Sequence, residues 1–239
     1  MIMRLFIVEL RRLSSSIFFL LLGLHTNREP LAAQEIITAE RYLQMVAERY
    51  SSIRDYEARI LIRSGGVDMQ GTVSHLVPSF LRIDFTRPAE QVILFNEDLL
   101  TIYLPQYNAV LNQSISANSR GSGASLATAQ GLQLLRRNYI PVFVTGPDPQ
   151  PLERGSEEQV VQLRLTRRSV SEGFREILLS INPGTKLIRR ILGTSIADGQ
   201  VRFDFSDIKI NQGIPEQRFI YDSPASANMF NNFLFQDTD

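Results

Sequence analysis

The sequence contains no cysteine, only two histidines and no excess of charge of either sign. Without cysteine the chain cannot form disulfides, thiolate metal sites or a cysteine nucleophile, and it has no cysteine to be acylated as in a lipoprotein. The 25 Lys and Arg residues balance 25 Asp and Glu residues, so no overall field attracts nucleic acid or an anionic membrane. His25 falls in a segment that we expect to be removed, which leaves His75 for any histidine chemistry.

Residues 1–33 have the features of a cleavable signal peptide. Three arginines precede an eight-residue apolar run, Ile17–Leu24, which is shorter than the roughly 20 residues that span a bilayer. Small residues ending at Ala33 offer a cleavage site. We therefore expect an exported protein, with an uncleaved N-terminal anchor as the alternative.

The spacing of apolar residues predicts a helix followed by many strands. Residues 35–53 favour an amphipathic helix, because apolar residues recur there at intervals of three and four: Ile36, Ala39, Leu43, Val46, Tyr50 and Ile53. From about residue 56 the period changes to two, and turn signals separate the runs: Gly65-Gly66, Asn182-Pro183-Gly184 and Asp198-Gly199.

About ten or eleven strands in meander order follow from this pattern, the last of them at Arg218–Tyr221. A second helical stretch, Ser125–Tyr139, interrupts the strands and is followed by a proline-rich loop. A sheet of this size usually curls to remove its edges. The expected fold is mainly β with α: a half-open antiparallel β-barrel closed by helices.

The order of these elements over residues 35–224 resembles the outer-membrane lipoprotein carrier (LolA) family. The amphipathic helix comes first, as in that family. The matching motifs are the Gly71…Pro78-Ser-Phe-Leu-Arg-Ile-Asp-Phe85 stretch, Pro88, Tyr103-Leu-Pro105, Asn182-Pro-Gly184, and Phe203–Asn211 followed by Pro215, Phe219 and Pro224.

The resemblance implies a carrier domain at residues 34–224 that encloses acyl chains in an apolar cavity. It places Leu81, Ile83 and Phe85 at cavity-lining positions of a central strand. Ile60, Ile62 and Ile102 are assigned to the lining only because their strands match strands of the family, without a residue-by-residue match. The second helix would be a lid, carrying Leu126, Leu132 and Leu135. On the residues alone, alternating apolar side chains favour ordinary core packing, and only the family resemblance favours a cavity lining.

The chain departs from the family at Val77, where many members place an arginine that holds the lid closed. His75 lies two residues earlier and is the one polar candidate nearby for a latch. On the residues alone, a satisfied buried histidine or a simple surface histidine is favoured over a latch. Val77 itself is assigned to the cavity lining.

The resemblance also implies partners and a location. The expected partners are acylated lipoproteins, an inner-membrane ABC transporter complex that releases them, and an outer-membrane acceptor. The chain is expected to act as a monomer in the periplasm. No cofactor, metal or nucleic acid is expected. The alternative is a related module of the same fold that binds a single dedicated lipid or lipoprotein.

An enzyme is the third hypothesis, and the sequence gives it little support. Asp84, Asp204 and Asp207 lie on strand faces expected to meet solvent, and no nucleophile or phosphate-binding motif is present. The arginine pairs Arg167-Arg168 and Arg189-Arg190 are expected to lie on solvated faces. Contact with lipid headgroups or a transporter is the alternative.

Residues 225–239 form an apolar C-terminal tail. Met229, Phe230, Phe233, Leu234 and Phe235 occur within seven residues. Side chains this apolar gain about 1.5–3 kcal/mol each when fully buried, so we expect the tail to fold back onto the barrel. The spacing of Phe230, Phe233 and Leu234 favours a short helical turn.

Overall fold

The computed structural model describes residues 37–96, 99–114 and 127–232. The described helices are α1 (Ala39–Ser51) and α2 (Ala129–Asn138), with 3₁₀ turns η1 (Pro105–Tyr107) and η2 (Glu216–Phe219). The strands are β1 (Asp55–Ser64), β2 (Val67–Leu76), β3 (Phe80–Arg87), β4 (Val92–Asn96), β5 (Leu99–Leu104), β6 (Ala109–Ser114), β7 (Tyr139–Phe143), β8 (Gln150–Pro151), β9 (Gln159–Arg167), β10 (Phe174–Ile181), β11 (Ile188–Ser195), β12 (Gln200–Ile210) and β13 (Asn228–Asn231).

Two meanders join into one curled sheet that does not close into a barrel. The strand order is β13-β6-β5-β4-β3-β2-β1-β12-β11-β10-β9-β7, with β8 paired beside β9. Pairs along this order are antiparallel except at one edge, where β13 lies parallel to β6. The expected mainly β, half-open architecture is confirmed, with thirteen described strands in place of ten or eleven.

Local sequence explains the start of each helix. The Thr38 hydroxyl accepts a hydrogen bond from the Arg41 amide at 3.2 Å, and the Thr128 hydroxyl accepts one from the Gly131 amide at 3.0 Å. Both are N-caps of the kind that satisfy free amides in the first turn. At the other end of α1, Tyr50 Oη accepts a hydrogen bond from the Ile188 amide at 3.0 Å, which fixes α1 against β11.

Glycine is required at two points of the central strands. Gly65 and Gly66 have φ values of 58° and 79°, which suit the tight hairpin between β1 and β2 and confirm that turn. At Gly71 a Cβ atom would collide with the carbonyl oxygen of Asp84. The close approach of β2 to β3 at this point therefore requires glycine.

Three segments differ from the sequence-based expectation. Tyr139–Phe143 is an edge strand, where a helix ending at Tyr139 and a proline-rich loop were expected. Pro141 is tolerated there because an edge strand needs fewer amide donors. The expected strand at Arg218–Tyr221 is wrong, since the 3₁₀ turn η2 occupies Glu216–Phe219. The helical turn expected at Phe230 is also wrong, because Phe230 lies in β13.

The main core lies on the concave side of the sheet, between β7, β9–β12 and the two helices. Fully buried aliphatic residues fill it: Leu43, Val46, Leu132, Leu163, Leu165, Ile177, Leu179 and Ile191. Neither helix of the described ranges is long and apolar enough to cross a bilayer. The signal peptide expected at residues 1–33 lies outside the described residues.

Candidate functional site: the concave face of the sheet

One row of side chains crosses the concave face from the centre of the sheet to its edge. Directly opposed residues share a face, and the register runs Ala58, Val73, Ile83, Ile93, Ile102, Leu111 and Phe230. Burial falls along it: the first three are buried, the next three are half-buried, and Phe230 is 51% exposed. At about 4.8 Å between strands, the row from Ile83 to Phe230 is roughly 19 Å long.

This gradient divides the sheet into two halves. In the dense half, comprising β7 and β9–β12, the concave face is filled by α1 and α2. In the open half, comprising β4–β6 and β13, apolar side chains of the same face stay half-buried or exposed: Ile93, Phe95, Leu100, Ile102, Leu104, Leu111 and Phe230.

Most of the residues predicted to line a cavity lie within the packed core. Leu81 is 5% exposed, and the others are similarly buried in the main cluster: Ile83, Phe85, Ile60 and Ile62. Among them, Leu81, Ile83 and Phe85 lie on β3, which borders the open half at β4. Of the predicted lining residues, Ile102 is half-buried in the open half.

The sequence-based prediction missed the other open-half residues. In β4 every residue from Val92 to Phe95 is apolar, so alternation could not distinguish the two faces. In β5 a signal was present, because Leu100, Ile102 and Leu104 alternate with Thr101 and Tyr103.

The predicted lid helix packs into the core. Leu132 and Leu135 are buried in the main cluster, and α2 contacts α1 and β7. Leu126 lies outside the described residues. Whether α2 acts as a lid therefore remains a prediction.

His75 and Val77 occupy different surroundings, contrary to the expectation that they share a face. Strand β2 ends at Leu76, and Val77 is 40% exposed in the following turn. His75 is buried and stacks on Tyr56, with ring centroids 5.2 Å apart. Burial lowers the pKa of His75 to about 4, while Asp55 partly opposes this shift. His75 Nδ1 has no hydrogen-bond partner within the described ranges.

A small apolar cavity of about 10 Å³ adjoins Tyr56 of this pair. Its walls come from α1, β1, β12 and the segment before β11, and include Tyr50, Tyr56, Ala58, Leu187 and Phe205. A cavity of this size has room for about one water molecule.

The C-terminal segment packs on the convex face of β3 and of the neighbouring open half. Phe219 is fully buried against Phe80, with ring centroids 5.5 Å apart. Asp84 pairs with Arg82 at 2.8 Å and with Arg218 at 2.6 Å. This aromatic and ionic cluster clamps residues 215–221 against β3 and β4.

The convex face of the dense half carries a second ionic network. Asp204 is buried and pairs with both Arg190 and Arg202, which also bind Glu153 at 2.7 and 3.1 Å. The hydrogen bond and charge of Arg190 lower the pKa of Glu153. Asp84 and Asp204 therefore do not simply meet solvent as expected; each is held by two arginines.

A bulge explains why the neighbouring arginines of β11 reach the same face. The register pairs Ser180 with Arg190 and Ile181 with Ile188, which leaves Arg189 as the extra residue. Arg189 then pairs with Glu158 at 2.6 Å. In the described part of the chain no group of His, Asp and Glu side chains is placed to hold a metal ion.

Comparison with known proteins agrees with this architecture. Residues 64–222 match the family described as outer membrane lipoprotein carrier protein LolA. No curated protein matches the chain. An uncharacterized conserved protein from Thermus thermophilus is 14% identical, with a TM-score of 0.52 over 79% of this chain and 98% of that chain.

Two further solved structures are similar with lower scores. A chain of the Pseudomonas aeruginosa MucA/MucB complex is 16% identical, with a TM-score of 0.48 over 80% of this chain and 62% of that one. A putative outer membrane lipoprotein-sorting protein domain from Vibrio parahaemolyticus is 11% identical, with a TM-score of 0.43 over 76% of this chain and 95% of that chain.

Proposed function

Because the chain belongs to the outer membrane lipoprotein carrier protein LolA family, we propose that it binds the acyl chains of lipoproteins on the concave side of its sheet. In this role it receives acylated lipoproteins from an inner-membrane ABC transporter complex, shields their lipid in the periplasm and delivers them to an outer-membrane acceptor. The task needs no bond chemistry and no cofactor.

The observation that carries the proposal is the apolar concave face of the open half. Ile93, Ile102 and Leu111 lie side by side on three neighbouring strands and are half-buried. An acyl chain laid along this row would remove apolar surface from water at about 25 cal/mol per Å². The row is long enough, at roughly 19 Å, to contact an extended chain over much of its length.

The test replaces Ile102 with glutamate. A carboxylate placed on this apolar row must stay hydrated or lose its charge, so binding of a fluorescent fatty acid should weaken by about tenfold or more. Leu99→Glu is the matched control, because Leu99 lies on the opposite face of the same strand and is 42% exposed. Equal loss in the two variants, or no loss in either, would contradict the proposed surface.

Cargo range is tested separately. Mass spectrometry of protein purified in its native host should identify many acylated proteins if the chain is a general carrier. A single lipid or lipoprotein species would instead support a dedicated binding module of the same fold.

A further inference from the structure

A groove runs along β1 and β12 on the convex side of the sheet, opposite the proposed acyl surface. Its main space has a volume of about 640 Å³, and the segment between β8 and β9 contributes Leu152 and Glu153 to its wall. A neighbouring space of about 430 Å³ adjoins it at Arg202 and extends to the hairpin at Gly65 and Gly66. Ligand sites commonly have volumes of about 300–1,000 Å³. We call these two spaces the convex groove.

The groove is lined by more cations than anions. Of the described residues that line its main space, four are arginines and two are carboxylates: Arg59, Arg189, Arg190, Arg202, Glu153 and Asp204. Arg190 and Arg202 are neutralised by the two carboxylates in the ionic network described above. Arg59 and Arg189 instead pair with Asp207 and Glu158, which are not among the lining residues. The groove therefore favours an anionic ligand.

Like charges also face each other across the floor of the groove. Arg63 lies directly opposite Arg202 in the register of β1 and β12, an arrangement that destabilises a sheet. Asp68 pairs with Arg63 at 3.1 Å, but these two side chains are 42% and 44% exposed, and the Arg59–Asp207 pair is more exposed still. Exposed ion pairs contribute little to stability, so an incoming carboxylate can replace the acidic partner in either pair.

Cationic and apolar side chains alternate along β1 in the groove. Arg59, Leu61 and Arg63 project from the same face, because every second residue of a strand does so, and Leu61 is half-buried between the two arginines. Their spacing is about 6.7 Å from one to the next. An extended peptide has the same two-residue repeat, so acidic, apolar and acidic residues on one side of it match these three side chains in order.

We propose that the convex groove binds an extended acidic segment of a partner protein, with Arg59 and Arg63 as the contacting cations and Leu61 as the apolar contact between them. The two-residue repeat and the contribution of Leu61 favour a peptide over a small inorganic anion or an anionic glycan. The inference goes beyond lipid binding and does not depend on it, because the groove and the acyl surface lie on opposite faces of the sheet. The chain can therefore hold lipid and this partner at the same time.

The experiment measures the binding of a fluorescently labelled peptide, Ser-Glu-Ser-Leu-Ser-Glu-Ser, to the full chain at low ionic strength. The two glutamates have the spacing of Arg59 and Arg63, and a peptide with lysine in place of both glutamates is the probe of opposite charge. The acidic peptide should bind and the basic peptide should not. Arg59→Gln combined with Arg63→Gln should weaken the acidic peptide by about tenfold, since its carboxylates lose charge-assisted hydrogen bonds.

Arg41→Gln combined with Arg164→Gln is the matched control. Both arginines are exposed and ion-paired, with Glu48 and Glu176, and neither lines the groove. This variant loses the same net charge and should bind the acidic peptide with unchanged affinity. Thermal unfolding should show both double variants folded, because the arginines that they replace form exposed ion pairs.

The outcomes distinguish this site from simpler explanations. Equal losses in the two double variants would mean that net charge alone attracts the peptide, and would overturn the site. So would an acidic peptide that does not bind the native protein, or one that binds no better than the basic peptide. Binding of polygalacturonate without binding of the acidic peptide would show that the partner is a glycan and that the assigned class is wrong.

Two further measurements complete the test. Serine in place of the leucine of the peptide should weaken binding severalfold, and an unchanged affinity would overturn the apolar contact with Leu61. Binding of a fluorescent fatty acid should be the same in the Arg59 and Arg63 double variant as in the native protein. Failure of the groove and failure of the proposed lipid binding are thereby measured separately.

Discussion

The two halves of the sheet are stabilised from opposite sides. In the dense half the core lies on the concave face, where Leu163, Ile177 and Leu179 are fully buried beneath the helices. In the open half and the adjoining strand β3 the packed cluster lies on the convex face, where Phe219 is fully buried and Arg82 and Asp84 are paired. A sheet anchored from behind can leave its front apolar and accessible, which a binding surface requires.

The largest expected effect comes from removing the convex anchor. Phe219→Ala should lower the free energy of unfolding by about 3–5 kcal/mol, because the lost ring leaves a cavity between the C-terminal segment and the sheet. Leu163→Ala, in the core of the dense half, should cost about 2–5 kcal/mol. Urea denaturation measures both.

Ile102→Ala is the control for that comparison. Ile102 is half-buried, so its truncation should cost about 1 kcal/mol. If Ile102→Ala were as destabilising as Leu163→Ala, the concave face of the open half would be ordinary core and the contrast between the halves would be lost.

The next effect concerns pH at the boundary between the halves. Burial lowers the pKa of His75 to about 4 in the folded state, whereas an unfolded histidine titrates near 6.5. The unfolded state therefore binds the proton more readily, and stability is lost as pH falls from about 6.5 to 4, by roughly 3 kcal/mol in total. Below about 4 this contribution should level off.

His75→Phe isolates that contribution, because it keeps a ring against Tyr56 and removes the titrating group. The difference in unfolding free energy between pH 7 and pH 4 should be smaller in this variant by about 3 kcal/mol. An unchanged pH dependence would mean that His75 is accessible to water or pairs with an acceptor.

The smallest effect is expected at the edge of the open half. Asn228 and Asn232 amides donate to the carbonyls of Asn108 and Asn112, each at 2.8 Å, but all four residues of β13 are exposed. Deletion of residues 226–239 should therefore cost about 1 kcal/mol or less and should increase the binding of a hydrophobic dye by uncovering Leu111. If lipid loading abolishes the difference in dye binding between the truncated and the full-length protein, the tail shields the binding surface. Unchanged dye binding would contradict a tail that covers this edge.

Sequence patterns predicted which face of a strand is apolar better than they predicted how deeply that face is buried. Alternation placed Leu81 on an apolar face, and the family resemblance assigned Ile102 to the lining by its strand only. Leu81 is buried and Ile102 half-buried, because distant segments cover only one of them. Periodicity within a strand carries no information on such coverage. The turn at Gly65-Gly66 was predictable since its requirement is local.

The C-terminal segment shows why long-range contacts defeated local prediction. Arg218–Tyr221 has strand-forming residues, yet Arg82 donates hydrogen bonds to the carbonyls of Arg218 and Ile220, at 3.0 and 3.2 Å. Backbone groups that a strand would offer to its neighbour are thereby satisfied by a side chain more than a hundred residues away. The parallel pairing of β13 with β6 was missed for the same reason.

The junction of the two meanders has a consequence for how the chain folds. Strand β1 pairs with β12, so that Tyr56 lies opposite Ile210 and Ser64 opposite Val201. Hairpins on either side form from neighbouring segments, but this junction requires closure of a loop that includes nearly every other strand. Loop-closure entropy and high contact order slow such steps. During synthesis, β1 cannot pair with β12 until β12 has emerged, and the ladder edge that β1 exposes meanwhile is a natural target for a holding chaperone.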